Sequence, residues 1–192
     1  MSFKRLEGEL SEHIRVMNTI RNLFDDISSS ARVCSDALDK GQTIFFCGNG
    51  GSASDSQHLA TELVGRFKNN RKPLAAYSLT ADTTAITCIA NDFGYEQIFA
   101  RQLEGLAKHG DVLCAISTSG NSQNVVNCVK VAKKIGVTTI GLSGGSGGEL
   151  KKLCDRTLIV DSTTETARIQ EAHIFIGQVI CRIIETNLGL ES

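Results

Sequence analysis

From Leu6 onward, apolar residues recur every three or four positions: Leu6, Leu10, Ile14, Met17, Ile20, Phe24 and Ile27, then Val33 and Leu38. That spacing puts them on one stripe of a helix and predicts an amphipathic hairpin or a bent long helix over residues 4–40. Gly41 closes it, and Ser28–Ser30 is the expected break. Beyond Gly41 the period changes. Residues 43–48 (TIFFCG), 74–79 (LAAYSL), 111–117 (DVLCAIS), 138–144 (TTIGLSG) and 157–161 (TLIVD) are short apolar runs bounded by Gly, Ser, Asp or Thr. Helical stretches lie between most of them, including 53–66, 122–135 and 166–187. Continuous apolar strands alternating with helices indicate a parallel sheet covered on both faces. The expected fold class is α/β, a three-layer sandwich with a five-stranded parallel sheet of flavodoxin-like type plus N-terminal helices. We expect a single domain over residues 1–192, with a helical extension at 1–40 and the α/β core at 41–192.

The bulk numbers narrow the partners. Apolar residues make up 41% and charged residues 21% of the 192, ordinary values for a globular protein. A net charge of −1 gives no electrostatic footprint for nucleic acid and no polybasic patch for anionic lipid. No apolar run is long enough for a membrane span, and the charged N-terminus has no signal-peptide core, so a cytoplasmic location is expected. The seven cysteines form no CxxC pair and mostly sit inside apolar runs, so they read as buried thiols.

In parallel sheets ligands collect beyond the carboxyl ends of the strands, and three of those ends carry unusual loops. They are CGNGGSAS (47–54), ISTSGNS (116–122) and LSGGSGGE (142–149). Glycines let backbone amides face a ligand, and the helix that follows adds a partial positive charge. Ser117, Thr118, Ser119 and Ser122 set four hydroxyls around the second loop, enough to wrap one phosphate. No Lys follows as in a Walker loop, which disfavours a nucleoside triphosphate. Taken singly, either loop reads as well as an ordinary turn and helix cap; two at one sheet edge favour a sugar phosphate or similar anion.

His58 and Glu62 stand four residues apart on the helix after the first strand, hence on one face. The spacing suits two ligands to a divalent metal, or a base beside its orienting partner. An isolated pair of this kind is usually a surface ion pair, but this one follows directly on the glycine loop. Asp55, in the first turn of that helix, is placed to cap it or to bind a ligand. In the last helix Gln170 and Gln178 are eight residues apart and share a face, with His173 turned away from it. Interhelical hydrogen bonding in an oligomer core is the alternative reading of those amides. Asn91 and Asp92, in ANDFGYE, are expected to follow a short helical stretch as a turn or as hydroxyl-binding groups.

With those segments in view, the chain resembles the phosphoheptose isomerases of the sugar isomerase (SIS) superfamily. The resemblance rests on CGNGGSASDSQHLATEL, GRF, ANDFGYE, ISTSGNS, LSGGSGGE and ARIQEAHI, in that order, and spans residues 41–185. It implies a SIS-type fold and an aldose–ketose isomerase that converts sedoheptulose 7-phosphate to D-glycero-D-manno-heptose 7-phosphate, toward lipopolysaccharide or capsule heptose. It also implies a homotetramer with one Zn2+ in each site. Residue by residue, Ser117, Thr118, Ser119 and Ser122 correspond to the phosphate cradle, and Asn49, Gly50, Gly51, Asn91 and Asp92 to further substrate-binding positions. His58, Glu62 and Gln170 match metal-site positions, Gln170 also being counted with the substrate-binding set, and Glu62 is the expected base.

One position departs from the pattern. Family isomerases carry a second His on the last helix, a metal ligand and acid, where this chain has Gln178. An amide oxygen coordinates metal weakly, and the group neither gives nor takes a proton near neutral pH. Losing a general acid costs about 10²–10⁴ in rate. Gln178 therefore enters the expected catalytic and metal sets as their weakest member. It is compatible with an active-site variant, with a natural enzyme relying on metal and Glu62, or with a non-catalytic relative. The alternatives to an isomerase are a SIS protein that bridges replication-initiation proteins, or a sugar-phosphate sensor.

Overall fold

A computed structural model describes residues 3–190. Helix α1 (Phe3–Thr19) passes through a 3-10 turn (Ile20–Leu23) into α2 (Phe24–Asp39). The core then runs β1 (Ile44–Gly48), α3 (Gly51–Val64), β2 (Ala76–Ser78), α4 (Thr83–Phe93), a 3-10 turn (Tyr95–Gln97) and α5 (Ala100–Leu106). It continues with β3 (Val112–Ser117), α6 (Gln123–Ile135), β4 (Thr138–Gly144), α7 (Gly148–Leu153), β5 (Arg156–Val160) and α8 (Thr166–Asn187).

The five strands form one parallel sheet in the order β2-β1-β3-β4-β5. All five residues of β1 and all six of β3 are buried, as strands covered on both faces must be. Side chains alternate between two cores. Ile44, Phe46, Cys114 and Ile116 face α2, α3 and α8; Phe45, Cys47, Leu113 and Ala115 face α5 and α6. The chain leaves β1 toward one face and β3 toward the other, so the strand order reverses between them. That is the switch point at which α/β sheets open a crevice.

Three expectations need correction. The N-terminal helix bends at Ile20–Leu23, not at Ser28–Ser30. Serine is accommodated within α2: the Ser29 hydroxyl bonds back to Asp26 O at 3.0 Å and that of Ser35 to Ala31 O at 2.8 Å, while the buried Ser30 hydroxyl has no partner. The real bend is fixed from outside: Thr19 Oγ1 lies 2.9 Å from Ser162 Oγ on the loop after β5. Asn91 and Asp92 lie within the last turn of α4, not after it. And although all seven cysteines are free, Cys88 is exposed, because α4 buries none of its residues.

A buried ion pair joins two distant elements. Arg71 Nε donates to Glu185 Oε1 at 2.9 Å, with the two side chains 2% and 0% exposed. Arg71 also donates to Leu63 O at 2.7 Å and to Glu62 O at 2.8 Å, closing the end of α3. Glu185 accepts in addition from Phe67 N, Lys68 N and Asn69 Nδ2, so the loop after α3 is gathered onto α8. Removing one partner strands the other's charge in the core. Glu185→Ala is expected to lower unfolding free energy by about 3–5 kcal/mol, and Arg71→Met/Glu185→Leu by clearly less than the two single changes summed. Denaturant titration of the three variants checks this.

Candidate active site

The carboxyl ends of β1 and β3 carry the two motif loops. After β1 the chain turns at Gly50, whose φ of +55° only glycine adopts without strain. Ser52 N donates to Asn49 O and Ala53 N to Gly50 O, which starts α3. Gly51 lies close beneath the last helix. A Cβ there would lie 2.6 Å from Nε2 of Gln170, so the amide of α8 rests directly on the turn. Gln170 and the glycine turn are thus brought together.

The second loop gathers its hydroxyls. Ser117 Oγ lies 3.0 Å from Ser122 Oγ and 3.5 Å from Ser119 Oγ, and Asn121 N donates to Ser119 Oγ at 3.2 Å. Thr118 is half-buried and its carbonyl accepts from Gly144 N, which ties this loop to the one after β4. Gly120, at φ +67°, has no room for a Cβ because Gly147 O would lie 2.1 Å away. Three convergent hydroxyls at the start of the 13-residue α6 form a cup for an anion, favoured by the helix's partial charge.

On α3, His58 Nε2 donates to Glu62 Oε1 at 2.9 Å, with side-chain exposures of 49% and 18%. The carboxylate is partly withdrawn from water and keeps its other oxygen free of this contact. The helix sits close against α8: at Gly177 a Cβ would lie 2.4 Å from Leu59 Cδ1. Half-buried Gln178 follows that contact directly, and His58 precedes Leu59. Asn91 and Asp92 are exposed on α4 and bonded to each other, Nδ2 to Oδ1, at 2.7 Å. They are not bonded to the glycine turn; Tyr95, just beyond them, is, through Oη to Asn49 Oδ1 at 3.0 Å.

One histidine and one carboxyl have strongly shifted acidity. His173 is fully buried, its Nε2–H donates to Ser143 O at 3.1 Å, and burial holds its pKa down to about 4. It is neutral and sealed, which separates it from the site, in accord with its position off the Gln170 face. Burial raises the Asp55 carboxyl to about 6, and its Oδ2 has no hydrogen-bond partner.

Sequence reasoning missed Asn124, Tyr95, Arg71 and Glu185. Asn124, two residues past the hydroxyl loop, was visible as a buried-side polar residue opening a helix. Tyr95 lay inside the ANDFGYE motif without being singled out, and Arg71 and Glu185 carry no local signal, since they meet only in the fold.

Among the described residues no group of three or more His, Cys, Asp or Glu comes together in a way that would hold a metal. Nor is any helix among them long and apolar enough to cross a membrane.

Comparison with known proteins places this geometry. The model of the SIS domain family matches residues 10–144. A phosphoheptose isomerase of Campylobacter concisus is 47% identical over 180 residues, covering 94% of this chain and 95% of that protein. The structure of phosphoheptose isomerase GmhA from Neisseria gonorrhoeae superposes with a TM-score of 0.90 at 38% identity, over 95% of this chain and 98% of that one. A phosphoheptose isomerase structure from Francisella tularensis gives 0.93 at 33% identity, over 97% and 99%.

Asp55 gives a pH test. A carboxyl raised in the folded state favours the protonated form, so its contribution is complete below the unfolded value near 3.8 and is lost as pH rises through about 6. Asp55→Asn is expected to melt above the unaltered protein at pH 7.5, with the gap closing below pH 4. Thermal melts across that range check the sign.

Proposed function

The chain belongs to the phosphoheptose isomerases of the SIS domain family, and we propose that Glu62 carries its proton transfer while Ser117, Ser119 and Ser122 hold the substrate phosphate. On this reading the substrate is sedoheptulose 7-phosphate and the product D-glycero-D-manno-heptose 7-phosphate, a precursor for lipopolysaccharide or capsule heptose. The observation that carries it is the pairing at one sheet edge: a hydroxyl cup after β3 and a half-withdrawn carboxylate on the helix leaving β1.

The roles follow from the groups. The hydroxyls of Ser117, Ser119 and Ser122 donate to phosphate oxygens, with Thr118 adding a fourth group at the rim. Backbone amides of Gly50 and Gly51 and the groups of Asn91 and Asp92 meet sugar hydroxyls. The Glu62 carboxylate takes the proton from C1 of the ketose while O2 gains one, giving the enediol. Return of a proton to C2 and loss of one from O1 then gives the aldehyde. His58, bonded to one Glu62 oxygen, orients the carboxylate so that the other faces the carbon. The Gln170 amide, resting on Gly51, donates to oxygen as negative charge grows there. Gln178 offers the same help but moves no proton.

The zinc ion that the resemblance implies needs strong donors. His58 and Glu62 are two; Gln170 and Gln178 contribute only neutral amide oxygens. That set does not fit a closed zinc centre, and the steps above run on the chain's own groups. Exposed Leu6, Leu10 and Ile14 on α1, together with an α4 that has no fully buried residue, support the reading of a homotetramer. Cytoplasmic residence accords with a phosphorylated sugar substrate. A bridging role in replication initiation is disfavoured by the near-complete coverage of the isomerases.

Steady-state assays test the roles. Glu62→Gln should reduce turnover of sedoheptulose 7-phosphate at least about 10³-fold with an unchanged melting temperature. Ser119→Ala should raise KM about tenfold with little change in kcat. Gln178→His should raise kcat by about 10²-fold and make zinc binding measurable by calorimetry. Loss of thermal stability in the first two would mark those positions as structural and overturn the assignment.

A further inference from the structure

The glycine turn and the hydroxyl cup are joined by side chains outside either motif's expected chemistry. Asn49 Nδ2 donates to Asn124 Oδ1 at 2.8 Å, and Asn124 Nδ2 donates back to Asn49 Oδ1 at 2.8 Å. Asn124 Oδ1 also accepts from Val125 N at 3.0 Å, which fixes the amide on the first turn of α6. Asn49 Oδ1 also accepts from the Tyr95 hydroxyl at 3.0 Å. Asn124 is 3% exposed; Tyr95 is 57% exposed. Thus one amide, set between Gly48 and Gly50, is bonded at once to the helix that opens from the cup and to the turn that follows Asn91 and Asp92.

We propose that Asn124 and Tyr95 are positioning residues of the isomerase, acting through Asn49 to fix the glycine turn, and with it the start of α3, against the hydroxyl cup. The inference rests on the assignment of cup and base made above. It also changes the role of Asn49. Both acceptor positions of its side chain and one of its two N–H groups are already bonded, so it serves the substrate mainly as a strut that holds Gly50 and Gly51. A sugar phosphate clasped at one end by the cup presents its reacting carbons at a distance set by its own bonds. A small displacement of α3 relative to the cup then weakens proton abstraction far more than it weakens phosphate binding.

Two variants isolate the device. Asn124→Asp keeps size and the acceptor for Val125 N but deletes the N–H given to Asn49. Tyr95→Phe deletes one hydroxyl from an exposed ring and places no core contact at risk, so it decides the matter should Asn124→Asp fold poorly. Three quantities are read: kcat and KM with sedoheptulose 7-phosphate, and Kd for inorganic phosphate by calorimetry. We expect each change to lower kcat/KM about tenfold, chiefly in kcat, with phosphate Kd within about twofold of the unaltered protein. The double variant should lose less than the product of the single losses, because both act through one amide. Kinetic constants within about twofold of the unaltered protein in both single variants overturn the proposal. So does a phosphate Kd that weakens in step with kcat/KM, which would place Asn124 in the cup itself. Failure of the cup assignment has a different signature: Ser119→Ala would leave both KM and phosphate Kd unchanged. That outcome removes the premise and overturns the proposal with it, whereas an effective Ser119→Ala beside silent Asn124 and Tyr95 variants overturns the positioning role alone.

Discussion

The position of α3 against α8 rests on a charge pair withdrawn from water. Arg71 and Glu185 are both almost fully covered, and each uses its remaining hydrogen-bonding groups on backbone at the end of α3 or in the loop that follows. A buried pair of this kind adds little net stability over a well-packed apolar pair, but it tolerates few alternative arrangements. What it fixes here is a location. The carbonyl of Glu62 is one of the groups Arg71 holds, so the residue assigned as the base sits on a turn that cannot shift without breaking the pair. Midway along the same interface, Gly177 lets Leu59 approach to a distance that any side chain would forbid, so the helices are both close and in register.

The other end of α3 is constrained by the sheet. Because β1 sits between β2 and β3, its crossover helix packs on one face while α6, leaving β3, packs on the other. Their first turns flank the crevice that the reversal of strand order creates. Loops there are free to carry unusual sequence because the strands beneath them are buried on both faces. The Asn49–Asn124 amide pair spans that crevice. Helix α3 is thus held near its start by an amide pair and at its end by an ion pair, and on the proposed roles these two contacts set the distance of the carboxylate from a clasped phosphate.

How much of this could be read from the chain depended on how local each signal is. The strands were legible because a doubly covered strand must be continuously apolar, and the long helices because their stripes persist over several turns. Helices α5 and α7, of seven and six residues, are too short to show a period, and α4 packs on the core through only partly buried Ile86, Ile89 and Ala90. The bend at Ile20–Leu23 was misplaced because a helix tolerates serine, as at Ser29, whose hydroxyl bonds back to Asp26 O, whereas the contact from Thr19 to Ser162 crosses 143 positions of sequence. The same divide runs through the site. Glycine turn, hydroxyl loop and the His58–Glu62 spacing are contiguous and were found. Asn49 with Asn124, and Arg71 with Glu185, lie 75 and 114 residues apart, and only the folded chain brings them together.

The histidines sharpen the meaning of Gln178. The chain has four. His13 is bonded to Glu171 across the α1–α8 contact at 2.8 Å. His109 packs against Gly136 in the loops that precede β3 and β4, at the edge of the sheet opposite the crevice. His173 shares α8 with Gln178, but burial keeps it neutral and its one bonded nitrogen is committed to the Ser143 carbonyl. None of the three can take over the proton that a histidine at 178 would carry. On the roles proposed above, proton movement therefore falls to the His58–Glu62 pair, with the amides of Gln170 and Gln178 confined to stabilising charge.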